Sequence, residues 1–208
     1  KFIERHSLDD SPSIALLEGS RKAEISFLLP RMVAFEKLLR QNQLLSGYQL
    51  LLAAAPSVDM QLYRSLIPTD SSIRIVSDDT YGVLSHSEAA IISSGTASLE
   101  AALIGTPQVV CYGFNRITYL IARLLVRVKY ISLANLILDK FIFKEFVQDE
   151  ASPKMIFDEV SRLLTDKEYR STMKSDYTAL REVLGGSGAS CKIARKMIDL
   201  LKENNVNK

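Results

Sequence analysis

SIALLEGSRKAEISFLLPRMVAFEKLL, residues 13–39, is the stretch that decides the fold class. Ser13 to Leu17 form a short apolar run, the pattern of a buried strand, and Gly19 closes it. From Lys22 the period changes. Ile25, Leu28, Met32, Phe35 and Leu39 recur at three- and four-residue spacing, which puts them on one face of a helix. Pro30 falls inside that helix and removes a backbone donor, so a kink or a split is expected there. A strand that turns directly into a long helix is the opening half of a βαβ unit.

The alternation continues outward from this unit. Strands are predicted at Gln49 to Ala53, Ile73 to Val76, Ala89 to Ile92 and, after Pro107, Gln108 to Tyr112. Helices are predicted at Asp59 to Leu66, Thr80 to His86 and Thr96 to Ile104, the last stopped by Gly105, which readily takes a left-handed cap. Beyond lie an apolar helix at Arg116 to Val126, a strand at Tyr130 to Leu133 and a loop region from Asn135 to Glu150. Helices at Pro153 to Leu164, Lys167 to Leu184 and Ala189 to Glu203 finish the pattern, with Gly185, Gly186 and Gly188 as a helix–helix turn. Strands alternating with helices predict an α/β fold: a Rossmann-like parallel sheet with flanking helices and a helical C-terminal tail. Residues 1–12 read as a linker leading in, 13–150 as the Rossmann-like domain, and 151–208 as helices that pack on it or on a partner. Because the chain opens on Lys1 and this linker, it is expected to be a piece of a longer protein.

Composition narrows the function classes. At 208 residues, 47% hydrophobic and 24% charged, one domain with a substantial core is expected. A net charge of +2 gives no ground for a nucleic-acid partner. Cys111 and Cys191 stand far apart with no CxxC spacing, which argues against a disulfide scaffold or zinc ribbon and for a reducing cytosol. His6 and His86 are too isolated for a histidine metal site. No apolar run is long enough to span a membrane, and no signal peptide opens the chain, so a cytoplasmic location is expected. Neither G-x-G-x-x-G after the first strand nor a P-loop is present, which disfavours nicotinamide and flavin sites. Ser85, His86 and Ser87 lack a nucleophile elbow, and Asp78-Asp79 reads as a helix cap before Thr80 more readily than as a metal pair.

In open parallel sheets, ligands bind where strand C-termini lead into helix N-termini. Two loops sit at such places. Gly19-Ser20-Arg21 follows the first strand: glycine permits close backbone approach, and arginine can grip two phosphate oxygens. It is equally an ordinary turn with a solvated Arg21. Ser93-Ser94-Gly95-Thr96 precedes a helix whose N-terminal amides attract a diphosphate, with Glu100 one turn inside as an acceptor for ribose hydroxyls. The plain reading has Thr96 as a cap and Glu100 as a dipole partner. Arg116, Arg123 and Arg127 line one side of an otherwise apolar helix, which suits either a solvated face or an anionic membrane surface.

LLEGSRKAEISFLLPR (residues 16–31), ISSGTASLEAALIGTPQVVCYGF (92–114) and YISLANLIL (130–138), in that order, resemble lipid-A-disaccharide synthase. That family consists of inverting glycosyltransferases of the two-Rossmann-domain (GT-B) architecture. The resemblance implies that this chain is the C-terminal, UDP-holding domain. The implied reaction moves a diacylglucosamine unit from UDP to the acceptor lipid X, forms the lipid A disaccharide 1-phosphate and releases UDP. It implies UDP contacts at Gly19, Ser20, Arg21, Ser94, Gly95, Thr96, Glu100, Asn135, Glu145 and Gln148. The acceptor site and general base are expected in an N-terminal domain outside these residues, so this chain alone is expected to be inactive. Glu18, Ala134 and the Asp139-Lys140 pair depart from the family pattern, and Glu18 places an anion beside the diphosphate site. The implied partners are UDP-diacylglucosamine and lipid X, with no metal or organic cofactor, and the lipid substrates imply a peripheral contact with the cytoplasmic face of the inner membrane. Independently of the resemblance, the helices after Pro153 suit a homodimer. Two other readings are a UDP-sugar 2-epimerase donor domain and a non-catalytic dimerisation module.

Overall fold

The computed structural model describes residues 1–93, 95–114, 129–185 and 195–198. Strands β1 (Ser13–Leu17), β2 (Gln49–Ala54), β3 (Arg74–Ser77), β4 (Ser87–Ile92), β5 (Gln108–Tyr112) and β6 (Glu145–Val147) form one sheet in the order β3-β2-β1-β4-β5-β6. Every pairing is parallel. Strand order therefore runs outward in one direction from β1 to β3, then reverses at β4, which is the doubly wound Rossmann arrangement.

Helices cover both faces, which is why the strands read as continuous apolar runs. On one face, Ile14, Leu16, Leu50, Leu52 and Ile91 pack on Ile25, Leu28 and Met32 of α2 (Lys22–Gln41). On the other, Ala15, Leu17, Leu51, Ala90 and Ile92 pack on Val83 and Leu84 of α4 (Thr80–Ser85) and Ala101 of α5 (Gly95–Ile104). A short α3 (Met60–Leu66) sits between β2 and β3 and sends the fully buried Tyr63 inward. The last described helices belong to the same core. Ile156, Val160 and Leu163 of α7 (Pro153–Thr165), with Met173, Tyr177 and Leu180 of α8 (Lys167–Leu184), join the α2 face.

Local chemistry explains the boundaries. Asp59, Asp79, Ser152 and Asp166 each cap a helix by accepting a backbone N–H, at α3, α4, α7 and α8. Asp79 thus acts as the cap expected of it. Gly105, at φ +103°, ends α5 with its N–H on the Ala101 carbonyl. Helix α2 runs unbroken through Pro30, so the proline does not split it. Arg31 folds back to donate to the Phe27 carbonyl at 2.5 Å, beside the Ser26 acceptor that proline leaves unfilled. Residues 1–12 carry a one-turn helix, α1 (Phe2–Arg5), whose Phe2 ring stacks on His86 at 4.2 Å, while His6 and Arg5 bond Asp79.

One stretch departs from the sequence reading. Tyr130 to Leu133 is not a strand: α6 (Leu133–Leu138) begins there, and β6 lies inside the span expected to be loop. The cause is Glu145, whose carboxylate takes the N–H groups of Ile131 and Ser132 and leaves them no strand partner. The stretch predicted as a basic helix, with Arg116, Arg123 and Arg127, lies outside the described residues, as do Ser94, Gly186, Gly188, Cys191 and all but residues 195–198 of the last predicted helix. Among the described residues, no helix is long and apolar enough to cross a membrane.

Candidate functional site

The loops after β1 and β4 meet at the point where strand order reverses, and a cleft of about 410 Å³ opens between them. Gly19, Ser20 and Arg21 form one wall, Gly95, Thr96 and Glu100 the other, and Ala55 and Pro56 after β2 close a third side. The two loops singled out in the sequence are thus brought together.

The first wall has an occupant that the sequence reading missed. Glu24, three residues into the α2 start, turns back so that Oε2 accepts the N–H groups of Ser20 (3.0 Å) and Arg21 (3.3 Å). Its Oε1 accepts from the Arg21 guanidinium at 2.9 Å. Glu24 thus caps the start of α2 from inside the helix, and its three-residue spacing from Arg21 was available in the sequence. Gly19 makes it possible. At φ +109° it occupies the left-handed region, and a Cβ there would lie 2.5 Å from Glu24 Oε2. The loop amides are therefore already bonded, whereas the Arg21 side chain, 81% exposed, projects from the loop.

The second wall is electrostatically different. The first turn of α5 holds no acidic residue, so the positive end of its dipole is not offset by a carboxylate of its own. Gly95 begins it at φ +59° with open space where a Cβ would be, and Thr96 is exposed at the rim. Glu100 accepts a hydrogen bond from the Tyr81 hydroxyl at 3.1 Å, so Tyr81 of α4 reaches a cleft residue, a contact that the sequence reading did not pick out. An anion at this cleft would meet the α5 terminus on one side and the Arg21 guanidinium on the other.

Glu18 does not stand in the cleft as an anion beside the loop. It is fully buried, and its Oε1 accepts from Tyr63 Oη at 2.6 Å. Burial pushes its carboxyl up to about 7, against the lowering effect of the Tyr63 hydrogen bond.

The three remaining residues lie elsewhere. Asn135 is fully buried; its amide nitrogen donates to the Phe143 carbonyl and Glu145, and its oxygen accepts from Ile142 N–H. Glu145 accepts from Ile131, Ser132 (backbone and hydroxyl) and Asn135. The pair clamps the loop between α6 and β6, and neither residue lines the cleft. Gln148, at the C-terminal end of β6, donates to the Phe114 carbonyl at 2.6 Å, and Phe114 stacks on Tyr112 just past the end of β5.

Comparison with known proteins agrees with this arrangement. Solved structures with the same fold include S. aureus MnaA with UDP (TM-score 0.62, 11% identity, covering 97% of this chain and 49% of that one). Another is CalG4, the calicheamicin glycosyltransferase (TM-score 0.57, 17% identity, 89% and 42%). A putative UDP-N-acetylglucosamine 2-epimerase from Listeria monocytogenes is also similar (TM-score 0.55, 14% identity, 91% and 46%). At these identities the likeness shows the fold alone. Sequence is more specific. The lipid-A-disaccharide synthase of Trichlorobacter lovleyi is 36% identical over 199 residues, covering 95% of this chain and 51% of the relative. That of Myxococcus xanthus is 36% identical over 207 residues, covering 99% and 54%. The chain thus spans about half the length of the curated relatives it matches. The model of the lipid-A-disaccharide synthetase family matches residues 3–197, and the chain belongs to that family.

Proposed function

We propose that the chain is the donor-binding half of an inverting glycosyltransferase that joins UDP-2,3-diacylglucosamine to lipid X, forming the lipid A disaccharide 1-phosphate and releasing UDP. The observation that carries this is the cleft at the strand-order reversal, where Arg21 faces a helix terminus with no acid of its own. As the bond to the anomeric carbon breaks, negative charge grows on the departing diphosphate. The Arg21 guanidinium and the α5 terminus, both lining the cleft, stabilise that charge. These groups supply the positive charge the leaving group needs, so the scheme calls on no metal or organic cofactor. Glu100 and Tyr81 stand where ribose hydroxyls would meet them, and Asn135 and Glu145 hold the loop that leads to Gln148.

The acceptor hydroxyl must lose a proton as it attacks. Glu24 is engaged by the loop and Glu100 by Tyr81, so we assign the base to a part of the enzyme outside this chain. Lipid substrates place the enzyme at the cytoplasmic face of the inner membrane as a peripheral protein. The test is to supply the full-length enzyme with UDP-diacylglucosamine and lipid X, with UDP titration in parallel. Disaccharide formation with saturable UDP binding is expected. Epimerisation of a soluble UDP-sugar without disaccharide, or no UDP binding at all, would overturn the reading.

A further inference from the structure

One phenol joins two walls of the cleft. Tyr63 Oη donates to Glu18 Oε1 at 2.6 Å and accepts the Ala55 N–H at 3.0 Å. Glu18 is the last residue before Gly19 and the diphosphate loop. Ala55 begins the loop after β2, and with Pro56 it lines the opposite side. We propose that Glu18 and Tyr63 are positioning residues for donor binding, a buried brace that fixes the Gly19–Arg21 loop relative to the Ala55–Pro56 loop. The inference rests on the reading of the cleft as a diphosphate site.

Stability alone does not account for the brace. Glu18 is fully buried, and its second oxygen, Oε2, has no hydrogen-bond partner among the described residues. An ionisable group in that state costs folding free energy, and an apolar side chain of similar size would avoid the cost. What the carboxyl supplies instead is a directed bond across 45 residues of sequence, ending on the loop whose Arg21 must meet the ligand. Gly19 adds backbone freedom at that very point, so a tie is needed to fix the loop.

The charge state of Glu18 supplies a readout that packing would not move. The titratable group in contact with it is Tyr63 from α3; Arg21 and Glu24 are the next charged groups along the chain, at the start of α2. Ala54 at the end of β2, Ala55 after it and Ser93 after β4 carry no titratable group. Burial holds the Tyr63 phenol above its usual range, so it stays neutral near pH 7, where Glu18 itself titrates. A diphosphate bound at the Gly19–Arg21 loop, which follows Glu18 directly, disfavours the ionised form of the buried carboxyl through the protein. UDP binding then takes up a proton near pH 7, and affinity falls as pH rises through that value.

The experiment is calorimetric titration of the full-length enzyme with UDP between pH 6 and 8, with thermal melts, for wild type, Tyr63→Phe, Glu18→Leu and Glu18→Gln. Tyr63→Phe and Glu18→Leu break the brace and should weaken UDP binding about fivefold to thirtyfold at pH 6. Glu18→Leu should nevertheless melt at or above wild type at pH 8, because it removes a buried ionisable group. Glu18→Gln keeps an acceptor for Tyr63, so it should bind like wild type at pH 6. It should also lose the roughly threefold to tenfold decline in affinity that Glu18 adds between pH 6 and 8. The terminal phosphate of UDP titrates in the same range, so the quantity read is the difference between wild type and Glu18→Gln. Wild-type UDP affinity in Glu18→Leu, or a Glu18→Gln pH profile that overlays wild type, would overturn the brace and leave the diphosphate reading intact. A wild-type enzyme that binds no UDP would instead remove the reading on which the brace rests.

Discussion

Replacing Arg21 with alanine tests the diphosphate placement most directly. The side chain is 81% exposed and its one ion pair joins it to Glu24, three residues away on the same helix. Such a pair contributes about 0.5 kcal/mol or less to folding, so the variant should melt close to wild type. Binding is another matter. A charged hydrogen bond to phosphate contributes about 1.5–3 kcal/mol. Sharing the guanidinium with Glu24 offsets roughly 0.5 kcal/mol of that. The net loss on Arg21→Ala is then about 1–2.5 kcal/mol, or about fivefold to seventyfold in affinity for UDP. The truncation also leaves Glu24 without its counterion beside the ligand, which pushes the loss toward the upper end. Lysine should restore only part of the affinity, since a point charge cannot grip two oxygens at once. The assay is UDP titration of the full-length enzyme carrying each change, with a thermal melt as control. Unchanged affinity in a folded Arg21→Ala protein would refute the placement of the diphosphate at this loop.

Other changes probe neighbouring parts of the argument. Glu24→Ala should remove the loop's own anion, tightening UDP binding severalfold in titration while lowering stability by about 1 kcal/mol in denaturant melts through loss of the cap. Gly19→Ala should destabilise by about 1–3 kcal/mol, because its φ is left-handed and its Cβ would meet Glu24; a denaturant melt within error of wild type would count against the observed loop conformation. Glu145→Ala should cost about 2–4 kcal/mol in the same melts, since it strands the donors of Ile131, Ser132 and Asn135. Glu18 should make stability fall as pH rises. Its folded value of about 7 lies above its ordinary 4.5, so its contribution is fully present below 4.5 and is lost as pH climbs to about 7. The loss is about 3 kcal/mol at most. Glu18→Gln should flatten that part of the melting-temperature profile between pH 5 and 8.

What the sequence made legible was whatever depends on near neighbours. The 13–39 stretch shows its strand and helix because a buried parallel strand and an amphipathic helix each write a period into adjacent residues. The two cleft loops were found because their place, between strand and helix, is itself local. Glu145 overturned the strand expected at Tyr130 to Leu133 by reaching back to Ile131 and Ser132, a contact no window of propensity contains. Glu18 looked like an anion in the cleft until Tyr63, 45 residues away, drew it inward. Asn135 is a ligand contact only by resemblance to the family, and its amide bonds to Phe143 and Ile142 follow from a packing that no local pattern shows. Glu24 differs from these. Its bonds to Ser20 and Arg21 span only four and three residues, so this contact is local and readable from spacing.

The placement of α7 and α8 has a consequence for how the chain reaches its native state. The α2 face of the sheet, with Ile14, Leu16, Leu50 and Leu52, is complete only when Ile156, Val160, Leu163 and Tyr177 arrive, more than a hundred residues later. A ribosome adds roughly 5–20 residues each second, so that apolar surface waits several seconds, at least, for its covering. During that interval α2 alone covers this side of the sheet, and the part that α7 and α8 will cover stays open to water. Exposed apolar surface of that kind is where a holding chaperone, or a neighbouring unfinished chain, can attach.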